Sequence, residues 1–275
     1  MKRNYFLMTI FLIGIFFLVS CVPQTNMINN NNENLVRNAD MIKDNNENVM
    51  EIETQDVDYG PATGFLAQPK APGNYPGIVM IHEWIGLNDY VKEMARQLAA
   101  EGYVVLAIDL YDGKVAQNST EARELSTKVR NDIPTAVANM KYAVEYLKGM
   151  DNVNDNKIAS MGWCFGGAMS LQLSLNEKLA ATVIYYGNLE TDTSKLSFIE
   201  WPLLGIFGEA DTSIPVASVK EFDAALDELG IENEIYIYPN VGHAFANPSG
   251  MNYAAEETKD AWKKTVDFLD KHLKQ

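Results

Sequence analysis

The chain has 275 residues, of which 47% are hydrophobic, 10% aromatic and 21% charged. This composition is typical of a globular protein, so it argues against a disordered chain and against a bundle of membrane helices. The formal net charge of −15 at pH 7 gives a surface that repels nucleic acid and anionic lipid headgroups, so we expect neither as a partner.

The first 20 residues have the pattern of a secretory signal peptide. Lys2 and Arg3 precede an almost wholly apolar stretch from Tyr5 to Val19, which is short for a membrane span. Residues 18–21 read Leu-Val-Ser-Cys and resemble the bacterial lipobox, in which the signal is removed before a cysteine that then receives lipid. We therefore predict an exported, cell-envelope lipoprotein anchored through Cys21. The alternatives are a plain secretory signal, which would release a soluble protein, and an uncleaved anchor.

Residues 21–50 form the predicted tether between this anchor and the folded domain. Asn29–Asn32 is a run of asparagines, and residues 45–48 read Asn-Asn-Glu-Asn. No helical or strand period persists here, so a flexible linker is expected. Residues 51–275 are predicted to form one domain without internal repeats, and we expect a monomer that meets the membrane through its lipid alone.

Within this domain, apolar runs rich in β-branched residues alternate with helical patterns. Strands are predicted at Gly77–His82, Val104–Asp109, Lys157–Gly162, Ala181–Tyr186, Leu203–Gly208 and Glu234–Pro239, with an edge strand or hairpin at Val57–Phe65. Helices are predicted at Asn88–Glu101, Ser119–Asn131, Pro134–Gly149, Phe165–Leu175, Pro215–Leu229 and Ala254–Leu273. Gly102 and Gly230 follow helices as C-terminal glycines do, and Pro134 and Pro215 fit first helical turns. Apolar strands separated by helices predict an α/β fold with a mostly parallel sheet covered on both faces.

The strongest chemical signal is at residues 162–167, which read Gly-Trp-Cys-Phe-Gly-Gly between a predicted strand and a predicted helix. This is the Gly-x-nucleophile-x-Gly pattern of a nucleophile elbow, with Cys164 in place of the usual serine. The glycines are needed because side chains there would collide across the tight turn, and the following helix N-terminus favours a thiolate. If Cys21 carries lipid, Cys164 has no partner for an intramolecular disulfide. The alternative is a buried, inert cysteine in a glycine-rich turn.

A thiol nucleophile needs a base, and the chain has three histidines. His272 lies in the predicted last helix between two lysines and is expected at the surface, whereas His82 ends the first core strand. His243 lies in the loop between the last strand and the last helix, where an α/β-hydrolase presents its base, so His243 is the predicted base. A metal site made of His82, Glu83, Asp211 and His243 is disfavoured because no ligand spacing such as His-x-x-x-His is present.

The predicted acid that orients the base is Asp211. It follows the strand at Leu203–Gly208, at the carboxyl edge where the sites of open α/β sheets gather. The chain order Cys164, Asp211, His243 is the nucleophile, acid, base order of α/β-hydrolases. Glu209 is the alternative acid.

A further motif at residues 81–88 reads Ile-His-Glu-Trp-Ile-Gly-Leu-Asn and follows the first core strand. Taken with other short matches, it closely resembles the dienelactone hydrolase family from about Pro69 to the C-terminus. These matches are the elbow, Asp109-Leu110-Tyr111, Tyr185-Tyr186-Gly187 and residues 242–245, Gly-His-Ala-Phe. The resemblance implies an α/β-hydrolase fold, hydrolysis of an ester or lactone through a thioester acyl-enzyme, and no metal or organic cofactor.

The resemblance also implies roles for individual residues. The family's glutamate at the position of Glu83 contacts the nucleophilic cysteine in the resting enzyme and controls when the thiolate forms. The oxyanion hole is then formed by the backbone N–H groups of Trp84 and Phe165. Tyr186 is implied as a further substrate contact.

Two positions depart from the family pattern for binding a substrate carboxylate. Asn247 stands where the family has an arginine four residues beyond the catalytic histidine, and Arg123 is the candidate for the second arginine. A missing arginine removes a charge-assisted contact worth about 1.5–3 kcal/mol. We therefore expect a neutral ester or a different lactone rather than dienelactone itself, with Asn247 as a candidate substrate contact.

Two other functions are compatible with the same sequence. One is a catalytically silent surface lipoprotein that binds a small molecule, and the other is an acyltransferase that passes the acyl group to an alcohol or amine. Hydrolysis is favoured because the nucleophile, base, acid and oxyanion loop are all present.

Overall fold

The computed structural model describes residues 49–275, so the predictions for the signal peptide, for Cys21 and for the tether up to residue 48 lie outside the described residues. The N–H of Met50 donates a hydrogen bond to the carbonyl of Ala100 at 2.9 Å, which joins the chain to the domain close to the predicted boundary. None of the described helices is both long and apolar enough to cross a bilayer.

Across residues 49–275, eight strands form one sheet in the order β1-β2-β4-β3-β5-β6-β7-β8. The strands are β1 (Ile52–Tyr59), β2 (Ala62–Pro69), β3 (Tyr75–Ile81), β4 (Val104–Ile108), β5 (Val153–Trp163), β6 (Ala181–Tyr185), β7 (Leu203–Gly208) and β8 (Asn233–Tyr238). The helices are α1 (Asp89–Ala100), α2 (Ser119–Arg130), α3 (Ile133–Lys148), α4 (Phe165–Ser174), α5 (Thr193–Leu196), α6 (Val216–Leu229) and α7 (Ala255–Leu273).

The sheet is antiparallel at one edge and parallel elsewhere. β1 and β2 form a hairpin, and β2 pairs antiparallel with β4. The remaining neighbours pair in parallel, from β4 through β3 to β8. Buried side chains of α2, α3, α4 and α6 form a core on one face, and those of α1 and α7 form a core on the other. The predicted α/β fold with a mostly parallel, doubly covered sheet is therefore confirmed.

The element bounds differ from the prediction in a few places. β5 begins at Val153, because the pairing with β3 skips residues 155–157 in a bulge and continues beyond it. The edge hairpin begins at Ile52 rather than Val57. Pro215 precedes α6 as its N-cap, with an extended ψ of 146°, instead of lying in the first turn. The short helix α5 was not predicted, since its 4 residues are too few to show a period.

Buried hydroxyl groups attach α4 to the two strands beneath it. The Oγ atoms of Ser160 on β5 and Ser170 on α4 lie 2.8 Å apart. Ser174 Oγ on α4 lies 2.6 Å from Thr182 Oγ1 on β6, which also accepts a hydrogen bond from the indole N–H of Trp201 at 2.9 Å. Because α4 begins at the elbow, these bonds help to fix where the elbow lies on the sheet.

Replacing Thr182 with valine should destabilise the fold without touching the elbow. The shape is kept, but the buried Trp201 N–H loses its acceptor, which costs about 1–3 kcal/mol of unfolding free energy. Urea denaturation measures this change. Thr127→Val is the control: Thr127 is exposed on α2, so its effect should stay within about 0.5 kcal/mol. Equal stability of the two variants would contradict the assignment.

Candidate active site

The turn between β5 and α4 holds Cys164 in an unusual backbone conformation. Its φ is 54° and its ψ is −113°, which is a strained region for a residue with a side chain. The strain is held by hydrogen bonds on both sides of the residue. The Cys164 N–H donates to the carbonyl of Tyr185 on β6 at 2.9 Å, and the Cys164 carbonyl accepts from the N–H of Ala168 at 3.1 Å.

The glycines of the elbow are required by close backbone contacts. A Cβ at Gly166 would overlap the carbonyl oxygens of Ile81 and His82, the latter at 2.5 Å, and one at Gly162 would overlap the Gly166 carbonyl. All these obstacles are backbone atoms, which cannot move aside as a flexible side chain would. The elbow therefore packs directly on the segment that follows β3.

The side chains of Cys164, His243 and Asp211 form one hydrogen-bonded chain. His243 Nε2 lies 3.1 Å from Cys164 Sγ, and His243 Nδ1 lies 2.7 Å from Asp211 Oδ2. The other oxygen of Asp211 accepts from the backbone N–H groups of Ser213 at 2.7 Å and Ile214 at 3.0 Å. Asp211 is buried, whereas Cys164 is partly exposed. The carboxylate is thus fixed, and the sulfur remains accessible.

The alternative acid, Glu209, has another role in the structure. Its Oε2 accepts from the backbone N–H of Asn240 at 3.2 Å, at the start of the loop that carries His243. The loop is held further along by Asn252, whose amide donates to the His243 carbonyl at 2.8 Å. The structure therefore brings Asp211, and not Glu209, to the imidazole.

The charges in this chain support one another. Burial disfavours the imidazolium, but the hydrogen bonds with Asp211 and Cys164 outweigh it and raise the pKa of His243 to about 10. Burial likewise acts to raise the pKa of Asp211, but its bonds with His243 and the backbone lower it overall. The geometry thus favours a cationic imidazolium between a carboxylate and a sulfur that can carry negative charge.

Glu83 is buried beside the triad, but its hydrogen bonds go to other residues. One carboxylate oxygen accepts a very short hydrogen bond from the amide of Asn247, and the other accepts from the Tyr186 hydroxyl at 3.4 Å. Burial raises the pKa of Glu83 to about 7, against the opposing effect of the Asn247 bond and the His243 charge. In residues 49–275 the hydrogen bonds of Glu83 therefore go to Asn247 and Tyr186 rather than to the thiol, and the thiol pairs with His243.

The candidate substrate-binding residues lie in different places. Tyr186 has no exposed surface, and its ring packs edge-on against His243 at 5.3 Å, so it supports the site from behind rather than offering a surface to substrate. Arg123 is exposed on α2, and no contact within the described residues joins it to the triad. Arg130, two turns further along the same helix, lies 5.5 Å from the ring of Phe165. Sequence reasoning missed Arg130, although the seven-residue spacing from Arg123 places both on one helix face.

The loop after β3 and the start of α4 present two backbone donors. In residues 49–275, neither the Trp84 N–H nor the Phe165 N–H makes a backbone hydrogen bond, and Phe165 is the first residue of α4, where N–H groups have no intrahelical partner. No group of three or more His, Cys, Asp or Glu side chains in this part of the chain could hold a metal ion.

Comparisons with known proteins agree with this architecture. Residues 62–273 match the model of the Dienelactone hydrolase family. A relative from Methylorubrum extorquens, named as a candidate carboxymethylenebutenolidase, is 30% identical over 234 residues, covering 80% of this chain and 79% of that protein. Protein usf of Aquifex pyrophilus is 30% identical over 217 residues, covering 76% and 93%. The crystal structure of a candidate dienelactone hydrolase from Klebsiella pneumoniae has the same fold, with a TM-score of 0.72, 24% identity and coverage of 80% and 98%.

The buried Glu83 should make stability depend on pH in a distinctive direction. The folded protein keeps the Glu83 proton up to a pKa of about 7, whereas the unfolded chain releases it near 4.5. This stability is fully present below pH 4.5 and is lost as the pH rises through 7, a total of about 3 kcal/mol. Glu83→Gln cannot lose a proton, so its unfolding free energy relative to the wild type should rise by that amount between pH 4.5 and 8.

Urea denaturation of both proteins across this pH range measures the difference directly. Glu228→Gln, the same substitution at a residue exposed on α6, is the matched control. A Glu83→Gln difference that changes with pH no more than that of the control would contradict the burial of a titrating carboxyl group.

Proposed function

Because the chain belongs to the dienelactone hydrolase family, we propose that it hydrolyses a small carboxylic ester or lactone by acyl transfer to Cys164. The observation that carries this proposal is the hydrogen-bonded chain from Asp211 through His243 to the Cys164 sulfur, at 2.7 and 3.1 Å. These distances are those expected of an acid that orients a base and of a base that activates a nucleophile.

In the first half of the reaction, the Cys164 sulfur attacks the carbonyl carbon of the substrate. A carbon–sulfur bond forms while the carbonyl oxygen becomes an oxyanion. The backbone N–H groups of Trp84 and Phe165 stabilise this oxyanion, since neither has a backbone acceptor in residues 49–275. One such donor is typically worth about 2.7–4 kcal/mol. The His243 imidazolium gives its proton to the departing alkoxide, the carbon–oxygen bond breaks, and a thioester remains.

In the second half, water releases the acyl group. His243, neutral after giving up its proton, takes a proton from water as the water attacks the thioester. The carbon–sulfur bond breaks, the acid leaves, and the imidazolium beside the Cys164 sulfur is restored. Asp211 keeps the imidazole in the orientation that both proton transfers need, because its carboxylate is fixed by two backbone donors.

Glu83 has a regulatory part in this proposal. A carboxylate free to approach the sulfur would oppose the thiolate by charge repulsion. Here Asn247 and Tyr186 hold the Glu83 carboxyl group, which leaves the sulfur paired with His243. A reactive thiol requires this arrangement of side chains, in which the sulfur is paired with its base.

The substrate class follows from the charges near the sulfur. Position 247 carries a neutral amide that is already bonded to Glu83, so it offers no cation to a substrate carboxylate. We therefore propose a neutral ester or a lactone other than dienelactone. The N-terminal pattern ending at Cys21 supports an exported, lipid-anchored enzyme whose substrate comes from outside the cytoplasm.

The full chain tests the proposal with p-nitrophenyl esters of short acids and a panel of lactones. Cys164→Ala should lower turnover about a thousandfold or more, because it removes the nucleophile. Cys21→Ala, the same substitution at the other cysteine, should leave turnover unchanged in purified protein. Circular dichroism checks that each variant folds.

Three results would contradict the proposal. Turnover that survives in Cys164→Ala would exclude a thioester at that sulfur. Saturable ligand binding without turnover in the wild type would favour the silent binding protein. Preferential transfer to an added alcohol or amine, with little acid formed, would favour the acyltransferase.

A further inference from the structure

His82 is a fully buried titratable residue that the proposed reaction does not use. Its side chain has no exposed surface, and its imidazole lies between the elbow and the loop after β3. The ring stacks on Phe165 at 5.7 Å, with an angle of 18° between the planes, and meets the edge of Tyr111 at 4.5 Å. The imidazole therefore contacts the side chain of one residue that supplies a predicted oxyanion donor.

The hydrogen bonds of the imidazole fix its protonation. Leu110 donates its backbone N–H to His82 Nε2 at 3.1 Å, so that nitrogen carries no proton. The proton is on Nδ1, which lies 2.6 Å from the carbonyl oxygen of Glu83 and donates to it. Asp109, the charged side chain nearest to Nε2, lies 4.0 Å away, and its oxygens accept from the backbone N–H groups of Tyr111 and Gly113. Burial lowers the pKa of His82, in agreement with this neutral tautomer.

The Glu83 carbonyl belongs to the same peptide group as the Trp84 N–H. A trans peptide is planar, so its C=O and N–H point in opposite directions, and fixing one fixes the other. The carbonyl is held from two sides, by His82 Nδ1 and by the N–H of Gly86 at 3.2 Å. The next carbonyl, that of Trp84, accepts from the Tyr111 hydroxyl at 3.2 Å. The Trp84 N–H is therefore left between two anchored carbonyls, with no backbone acceptor in the described part of the chain.

We propose that His82 is a positioning residue of the oxyanion hole. Its Nδ1–H sets the plane of the peptide between Glu83 and Trp84, so that the Trp84 N–H faces the reacting carbonyl beside the Phe165 N–H. The same imidazole also packs on the Phe165 ring. This inference rests on the proposed hydrolysis and adds the residue that aligns its transition-state donors.

Two substitutions separate the two hydrogen bonds of the ring. His82→Asn places an amide N–H near the position of Nδ1 and keeps a donor for the Glu83 carbonyl. His82→Gln places its amide near the position of Nε2, which keeps a partner for the Leu110 N–H but loses the donor to Glu83. The matched pair therefore tests which bond matters.

The expected result is a selective loss of kcat in His82→Gln. We expect its kcat to fall about tenfold or more, since a misaligned oxyanion donor is a large fraction of a lost one, with KM little changed. His82→Asn keeps the donor to the Glu83 carbonyl, so its kcat should stay close to that of the wild type and well above that of His82→Gln. Affinity for a trifluoromethyl ketone, whose adduct with Cys164 places an oxyanion in the hole, should fall in parallel with kcat.

Alkylation of Cys164 by iodoacetamide distinguishes alignment from damage to the elbow. This reaction needs the sulfur and His243 but no oxyanion hole, so its rate, followed on the Cys164 peptide by mass spectrometry, should be unchanged in both variants. Parallel loss of kcat and alkylation would overturn the proposal, and so would wild-type kcat in His82→Gln. Absence of turnover in the wild type would instead refute the hydrolase itself.

The wild-type protein provides a second test if neither variant folds. Nitrogen-15 NMR of the His82 imidazole should show a protonated Nδ1 and an unprotonated Nε2 throughout the pH range in which the protein is active. A proton on Nε2 would overturn the proposal, because Nδ1 could not then donate to the Glu83 carbonyl.

Discussion

The arrangement of the site depends on how closely the elbow backbone approaches the end of β3. Gly166 lies so near the carbonyl groups of Ile81 and His82 that no Cβ fits there. This contact brings the N-terminus of α4 against the loop that carries Glu83 and Trp84, and it leaves Cys164 in its strained conformation. The elbow that carries Cys164 and the loop that carries Glu83 and Trp84 are therefore packed against each other. Strain of this kind persists only where the surrounding structure fixes it, and here the buried hydroxyl groups between α4, β5 and β6 do so.

The ionisable groups of the site affect its stability in different ways: the hydrogen-bonded chain from Asp211 to Cys164 stabilises its charges, whereas the buried Glu83 destabilises the folded protein when it ionises. Burial opposes the charges of both His243 and Asp211. The hydrogen bonds with Asp211 and Cys164 nevertheless raise the pKa of His243, and the bonds with His243 and the backbone lower the pKa of Asp211. Glu83 is different, because burial outweighs the hydrogen bonds from the amide and the phenol that hold it. The protein thus gives up stability at neutral pH to keep a carboxyl group buried near His243. Groups whose pKa is strongly shifted by burial cluster at functional sites.

Sequence patterns predicted the fold and the residues of the hydrogen-bonded chain. The strands and the elbow follow local rules, and the chain order of α/β-hydrolases pointed to Asp211 and His243. The buried strands are continuous apolar runs, and the elbow has its own glycine spacing, so Cys164 and its flanking elements could be placed directly. The partners of Glu83 could not, since its bond to Asn247 spans 164 positions of the chain and depends on how two loops pack. The same holds for Arg130, which approaches Phe165 only in the folded protein, and for His82, whose tautomer is set by the backbone of Leu110.

The central claim is that Cys164 carries the acyl group, and intact-protein mass spectrometry tests it most directly. The full chain is mixed with a short-chain p-nitrophenyl ester, quenched in acid within the first turnover, and weighed. We predict a mass increase of one acyl group that maps to the peptide containing Cys164 and is released by hydroxylamine at neutral pH, as a thioester is. Release of nitrophenol with no adduct at this sulfur at any time before steady state, or an adduct on another residue, would contradict the account.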